Sequence, residues 1–75
     1  MPAEQPQWIL DARRQLGLRI RDARIYADLT QEELAHLTEI DRSTIQRIEW
    51  GGEAKFSHLL LIARALRLPV RDLMP

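Results

Sequence analysis

Thr30-Gln31-Glu32-Glu33-Leu34-Ala35-His36-Leu37-Thr38, then Glu39-Ile40-Asp41, then Arg42-Ser43-Thr44-Ile45-Gln46-Arg47-Ile48-Glu49-Trp50-Gly51 is the stretch that decides the fold. Its opening, Thr30-Gln31-Glu32-Glu33, has the Ser/Thr-x-x-Glu form of a capping box, in which a hydroxyl and a carboxylate each accept from an orphan backbone N–H. A helix begins there, carries Leu34, Ala35 and Leu37 inward and ends near Thr38. Asp41 offers a second N-cap, which leaves Glu39 and Ile40 as a tight turn. The next helix runs from Arg42 to about Trp50, with Ile45 and Ile48 facing the core and Gly51 supplying the left-handed residue that stops it. Two short helices joined by so few residues, the second with polar and basic side chains outward, form the geometry that lets a helix enter a DNA major groove.

Upstream, Ile9, Ala12, Leu16, Ile20, Ala23 and Ala27 recur at steps of three or four, which predicts one long helix over 7–27 with Gly17 as its sole breaker residue. At 1.5 Å per residue it would extend about 31 Å, so its first two turns should overhang the core. Downstream, Phe56, Leu59, Ile62, Ala63 and Leu66 make a fourth amphipathic helix, and Pro69 to Leu73 a short fifth. No strand signal competes. The expectation is an all-α, compact five-helix bundle with an extended first helix: a flexible lead-in over 1–6, a single domain over 7–75, and the paired helices at about 31–50.

Bulk properties agree with one small folded domain. The chain has 75 residues, 45% hydrophobic and 29% charged, room for one core and too few for a sensory or catalytic domain beside it. It contains no cysteine, which removes disulfide frameworks and thiolate metal sites and makes a cytoplasmic setting the expectation. The apolar run Leu59 to Ala63 is far too short for a membrane span, and Met1-Pro2-Ala3-Glu4-Gln5-Pro6 does not read as a secretory signal. Eleven cations balance eleven anions, weak support for a protein that approaches a polyanion. Ten of the cations are arginine, able to grip a phosphate or a guanine edge with two parallel hydrogen bonds. Genomic base composition explains that bias equally well, so composition alone decides nothing.

Residue by residue, Leu16 to Met74 resembles the phage repressor and Cro type of helix-turn-helix domain, the XRE family. The resemblance is carried by Leu18-Arg19-Ile20-Arg21, Arg24, Leu29 to Ala35, Ser43-Thr44-Ile45, Ile48-Glu49, Gly51, Ile62 to Leu66, and Asp72-Leu73. It implies a sequence-specific regulator of transcription, a repressor by expectation, that reads double-stranded DNA as a homodimer with its third helix. Arg42, Ser43, Gln46 and Arg47 would face base edges, the arginines each suited to a guanine O6 and N7. Gln31, Thr44 and Lys55 would contact phosphates. Trp50 stands where the family has a small phosphate contact, and either donates its indole N–H to a phosphate or packs against the following loop. Arg24 and Glu49 match an ion pair tying the first helix to the third. The resemblance implies no cofactor, metal or small-molecule ligand.

The sequence departs from the family at Asp28, Glu39 and Arg67, each just after a helix where glycine is usual. A non-glycine residue in such a left-handed cap costs about 1 kcal/mol. Trp8, Ile9 and Leu10 present more apolar surface than one buried stripe can use, and Leu60, Val70 and Met74 add to it. These six residues are candidates for a dimer or partner surface. An enzyme is disfavoured, since His36 and His58 lie on different helices without clustered carboxylates or a nucleophile at motif spacing. The rival reading is a protein-interaction module of the same fold, an antitoxin or phage accessory protein, favoured by neutral net charge, Glu39 and the apolar amino-terminal segment.

Overall fold

The computed structural model describes residues 5–75, so Met1 to Glu4 of the predicted lead-in lie outside the described residues. Four α-helices follow in order: α1 (Gln7–Tyr26), α2 (Gln31–Thr38), α3 (Arg42–Glu49) and α4 (Phe56–Ala65). The predicted fifth helix is a single 3-10 turn, Val70–Asp72, entered through Pro69. The described residues contain no strand, and no helix is long and apolar enough to cross a membrane.

Helix α2 starts at the capping box. The Glu33 N–H donates to Thr30 Oγ1 at 3.0 Å, and the Thr30 N–H donates to Glu33 Oε1 at 2.9 Å. Its inward face differs from the expectation. Leu34 is fully buried and Ala35 half-buried, but Leu37 is 57% exposed. So short a helix buries one narrow row, and the residue four after Leu34 is Thr38, not Leu37. Thr38 is buried and closes the turn: its hydroxyl donates to the Leu34 carbonyl at 2.8 Å and accepts from the Ile40 N–H at 3.3 Å. Asp41 also behaves differently. Its side chain makes no capping bond, while its carbonyl accepts from the Thr44 and Ile45 N–H groups at 3.0 Å each.

Left-handed residues end the helices. Asp28 (φ 61°), Glu39 (φ 58°), Gly51 (φ 101°) and Arg67 (φ 58°) hold these places, so three of the four stops stand without glycine. After Asp28, Gly51 and Arg67 the chain wraps back in one way, with Leu29 N–H on the Arg24 carbonyl, Gly52 N–H on that of Arg47 and Leu68 N–H on that of Ala63, at 3.1, 2.8 and 2.9 Å. This bond satisfies a carbonyl that the last turn leaves open.

The core gathers Ile20, Leu34, Ile45, Ile48, Ile62 and Leu73, all fully buried, so every helix contributes. Gly17 sets the approach of α1 to α3: a Cβ there would lie 2.6 Å from the backbone oxygens of both Ile48 and Glu49. Amino-terminal to Leu16, α1 runs past the core. Trp8 is 71% exposed, while Ile9 and Leu10 are half-buried. The carboxy-terminal residues return beside α1, where Arg19 Nη1 donates to the Met74 carbonyl at 2.6 Å.

Candidate nucleic-acid interface

Helix α3 divides its residues between two tasks. Ile45, Ile48 and Glu49 are buried, which turns Arg42, Ser43 and Arg47 to solvent and leaves Thr44 and Gln46 half-buried at the margin. Arg42 with Gln46, and Ser43 with Arg47, stand four residues apart in adjacent rows of one exposed surface. The four base-reading candidates are thus contiguous.

What holds α3 in place is polar. Glu49 is 4% exposed, and its carboxylate accepts from Arg24 Nε at 2.7 Å, Arg24 Nη2 at 3.0 Å and Gln31 Nε2 at 3.1 Å. Arg24 Nη1 donates to the Leu29 carbonyl at 2.8 Å. Two parallel bonds between guanidinium and carboxylate fix direction as well as distance. The cluster joins α1, the loop before α2, the first residue of α2 and the last of α3. Gln31 spends one amide hydrogen on Glu49 and has a second to donate. Among the described residues Arg24 and Glu49 form the one ion pair.

Trp50, just beyond α3, is 75% exposed and borders a shallow groove with Arg14 and Leu18 of α1; it is not packed into the interior. Lys55 is exposed at the N-cap of α4 and shares a cleft with Arg47. Of the apolar candidates, Trp8, Ile9 and Met74 come together along one groove beside Leu16. Leu60 (47% exposed) lies on α4, and Val70 packs against the core. No group of three or more His, Cys, Asp or Glu among the described residues is placed to hold a metal ion.

Two residues of the Arg47–Lys55 cleft were not singled out from the sequence as binding residues. Arg13 reaches it from the extended part of α1 and His58 from the first turn of α4. No local spacing links them, because they meet only through the crossing of α1 over the loop between α3 and α4.

A family described as helix-turn-helix matches residues 20–73. Among solved structures, the chain is similar to the restriction-modification controller protein C.AhdI from Aeromonas hydrophila, 33% identical, with a TM-score of 0.80 over 83% of this chain and 96% of that one. It is also similar to a hypothetical transcription factor, NHTF, from Neisseria, 29% identical, with a TM-score of 0.81 over 100% of this chain and 86% of that one. No curated protein matches it.

Proposed function

This chain belongs to the XRE-type helix-turn-helix family, and from that premise we propose that it represses transcription as a homodimer, laying α3 in the major groove of its operator. The chain is a DNA-binding transcriptional regulator. In the proposed complex Arg42 and Arg47 read guanines, Ser43 and Gln46 face neighbouring base edges, and Gln31, Thr44, Trp50 and Lys55 hold phosphates. The supporting observation is the exposure of Arg42, Ser43 and Arg47 together on a helix whose opposite side is locked by Arg24, Glu49 and Gln31.

Residues 7–75 act as one DNA-binding domain, in the cytoplasm, by binding and without catalysis. A two-fold dimer places two copies of α3 about one DNA turn apart, and the groove of Trp8, Ile9 and Met74 is apolar surface available for the subunit contact. Trp8 at 71% exposure also favours a second reading, in which this groove takes a different protein.

Selection from a randomised duplex pool at about 0.1 M salt tests the proposal, since affinity depends steeply on salt. Enrichment of a two-fold symmetric site with half-sites about 10 base pairs apart is the expected result. Arg42→Ala and Arg47→Ala should each relax the preference at one guanine, with a loss of about 1–3 kcal/mol. Retention without enrichment of any sequence would overturn the operator reading. Loss of function in Trp8→Ser with DNA binding intact would select the protein-partner reading.

A further inference from the structure

We propose that Arg13, Lys55 and His58 form a clamp for a DNA backbone phosphate, an assignment that rests on the DNA-binding reading and extends it to Arg13 and His58. The cleft has a volume of about 620 Å³ and is lined by Arg13, Arg47, Glu53, Ala54, Lys55 and His58. In a chain whose formal charges cancel, this one depression sets two arginines, a lysine and a histidine against a single carboxylate. Cations focused in a concave site raise the local concentration of anions. None of the three permanent cations has an ion-pair partner among the described residues.

A second observation concerns the two residues that α1 and α4 contribute. Arg13 Nε and His58 Nδ1 are both buried without a hydrogen-bond partner. A buried polar atom left unpaired is unfavourable, and native structures tolerate few of them. Arg13 and His58 therefore stand in the cleft wall with unspent hydrogen-bonding capacity. A phosphate oxygen in the cleft is an acceptor for the Arg13 guanidinium, and for the His58 ring through whichever nitrogen carries a proton.

Position selects the ligand. Arg47 belongs both to this cleft and to the exposed face of α3, so an anion in the cleft lies directly beside the bases that α3 would read. A duplex places its phosphates there. Arg13 reaches the cleft because α1 continues amino-terminal to the core, which gives the overhang a task besides dimer contact.

The experiment measures binding of the full chain to its selected duplex and to a non-specific duplex across a salt series. Each phosphate contact contributes about 0.9 to the slope of log K against log salt. Arg13→Ala should lower that slope by about one unit on both duplexes, and Arg13→Lys, which keeps the charge, should restore it. His58→Gln should weaken both duplexes in the same proportion. Thermal melts of each variant separate a folding defect from a lost contact, and Arg13→Lys holds the test open if Arg13→Ala unfolds. A wild-type slope retained in Arg13→Ala while the native chain binds DNA would overturn the clamp alone. A native chain with no salt-dependent DNA binding would overturn the DNA reading itself. Saturable binding of inorganic phosphate at Arg13 and His58, with no change of DNA slope in the variants, would make the cleft a small-anion site and refute the backbone assignment.

Discussion

Arg24 grips Glu49 through two hydrogen bonds, 2.7 and 3.0 Å long, that close a span of 25 residues and tie the last turn of α1 to the last residue of α3. Arg24→Ala would leave a 4% exposed carboxylate with Gln31 as its remaining side-chain donor. The expected cost is about 3–5 kcal/mol, read by denaturant unfolding. Arg24→Ala/Glu49→Ala should lose less than the sum of the single changes, because it leaves no unpaired charge. A single-mutant loss under about 1 kcal/mol, the range of exposed pairs, would mean that water reaches the carboxylate.

Gly17→Ala should destabilise the protein although alanine is the better helix former. The new methyl would sit 2.6 Å from two carbonyl oxygens of α3, backbone that cannot swing aside. Overpacking of this kind costs about 1–3 kcal/mol, against a propensity gain of about 1 kcal/mol. Unfolding curves and DNA affinity measured together are the check: both should fall, since relief of the clash displaces α3. Unchanged stability would place the two helices farther apart than described.

Glu39→Gly and Arg67→Gly should each stabilise the chain by about 1 kcal/mol, because both residues hold φ near 58° against side-chain sterics. Asp28→Gly should gain less, as aspartate tolerates that conformation better. Glu39→Gly alone should also strengthen DNA binding, through removal of a carboxylate from the turn before α3. Melting temperatures and one binding isotherm per variant decide the point.

Glu33 gives an acid-sensitive cap. The Thr30 backbone N–H first, and the Thr30 side chain second, hold its carboxyl below the ordinary value of 4.5. A depressed carboxylate stabilises the fold above its unfolded pKa and loses that contribution as pH falls through the folded one. The melting-temperature difference between the native chain and Glu33→Gln should therefore be constant near neutrality and shrink below pH 4.5. A difference that grows with acidity would contradict the capping role.

Local chemistry was legible wherever a few neighbouring residues settle the outcome. Thr30 and Glu33 announce α2 by themselves, and the left-handed stops at Asp28, Glu39 and Arg67 follow from a resemblance in which glycine is usual. Leu37 misled because hydrophobicity alone cannot say which of several apolar rows on an eight-residue helix finds a partner. Asp41 looks like a side-chain cap by type, yet its carbonyl takes the role. Gly17 is a helix breaker by type inside one continuous helix, and its reason lies in the distant carbonyls of Ile48 and Glu49. The cleft of Arg13, Lys55 and His58 was hidden for the same cause: it is assembled by a helix crossing, and no periodicity encodes one.

The division of α3 into inward Ile45, Ile48 and Glu49 and outward Arg42, Ser43 and Arg47 bears on how such a regulator can diverge. Residues that secure the scaffold and residues that would choose the operator alternate along one eight-residue helix without sharing a position. A duplicated copy could acquire a new target through changes at 42, 43, 46 and 47 while keeping its melting temperature. Two paralogues in one cell would then be insulated from each other's sites by a handful of substitutions.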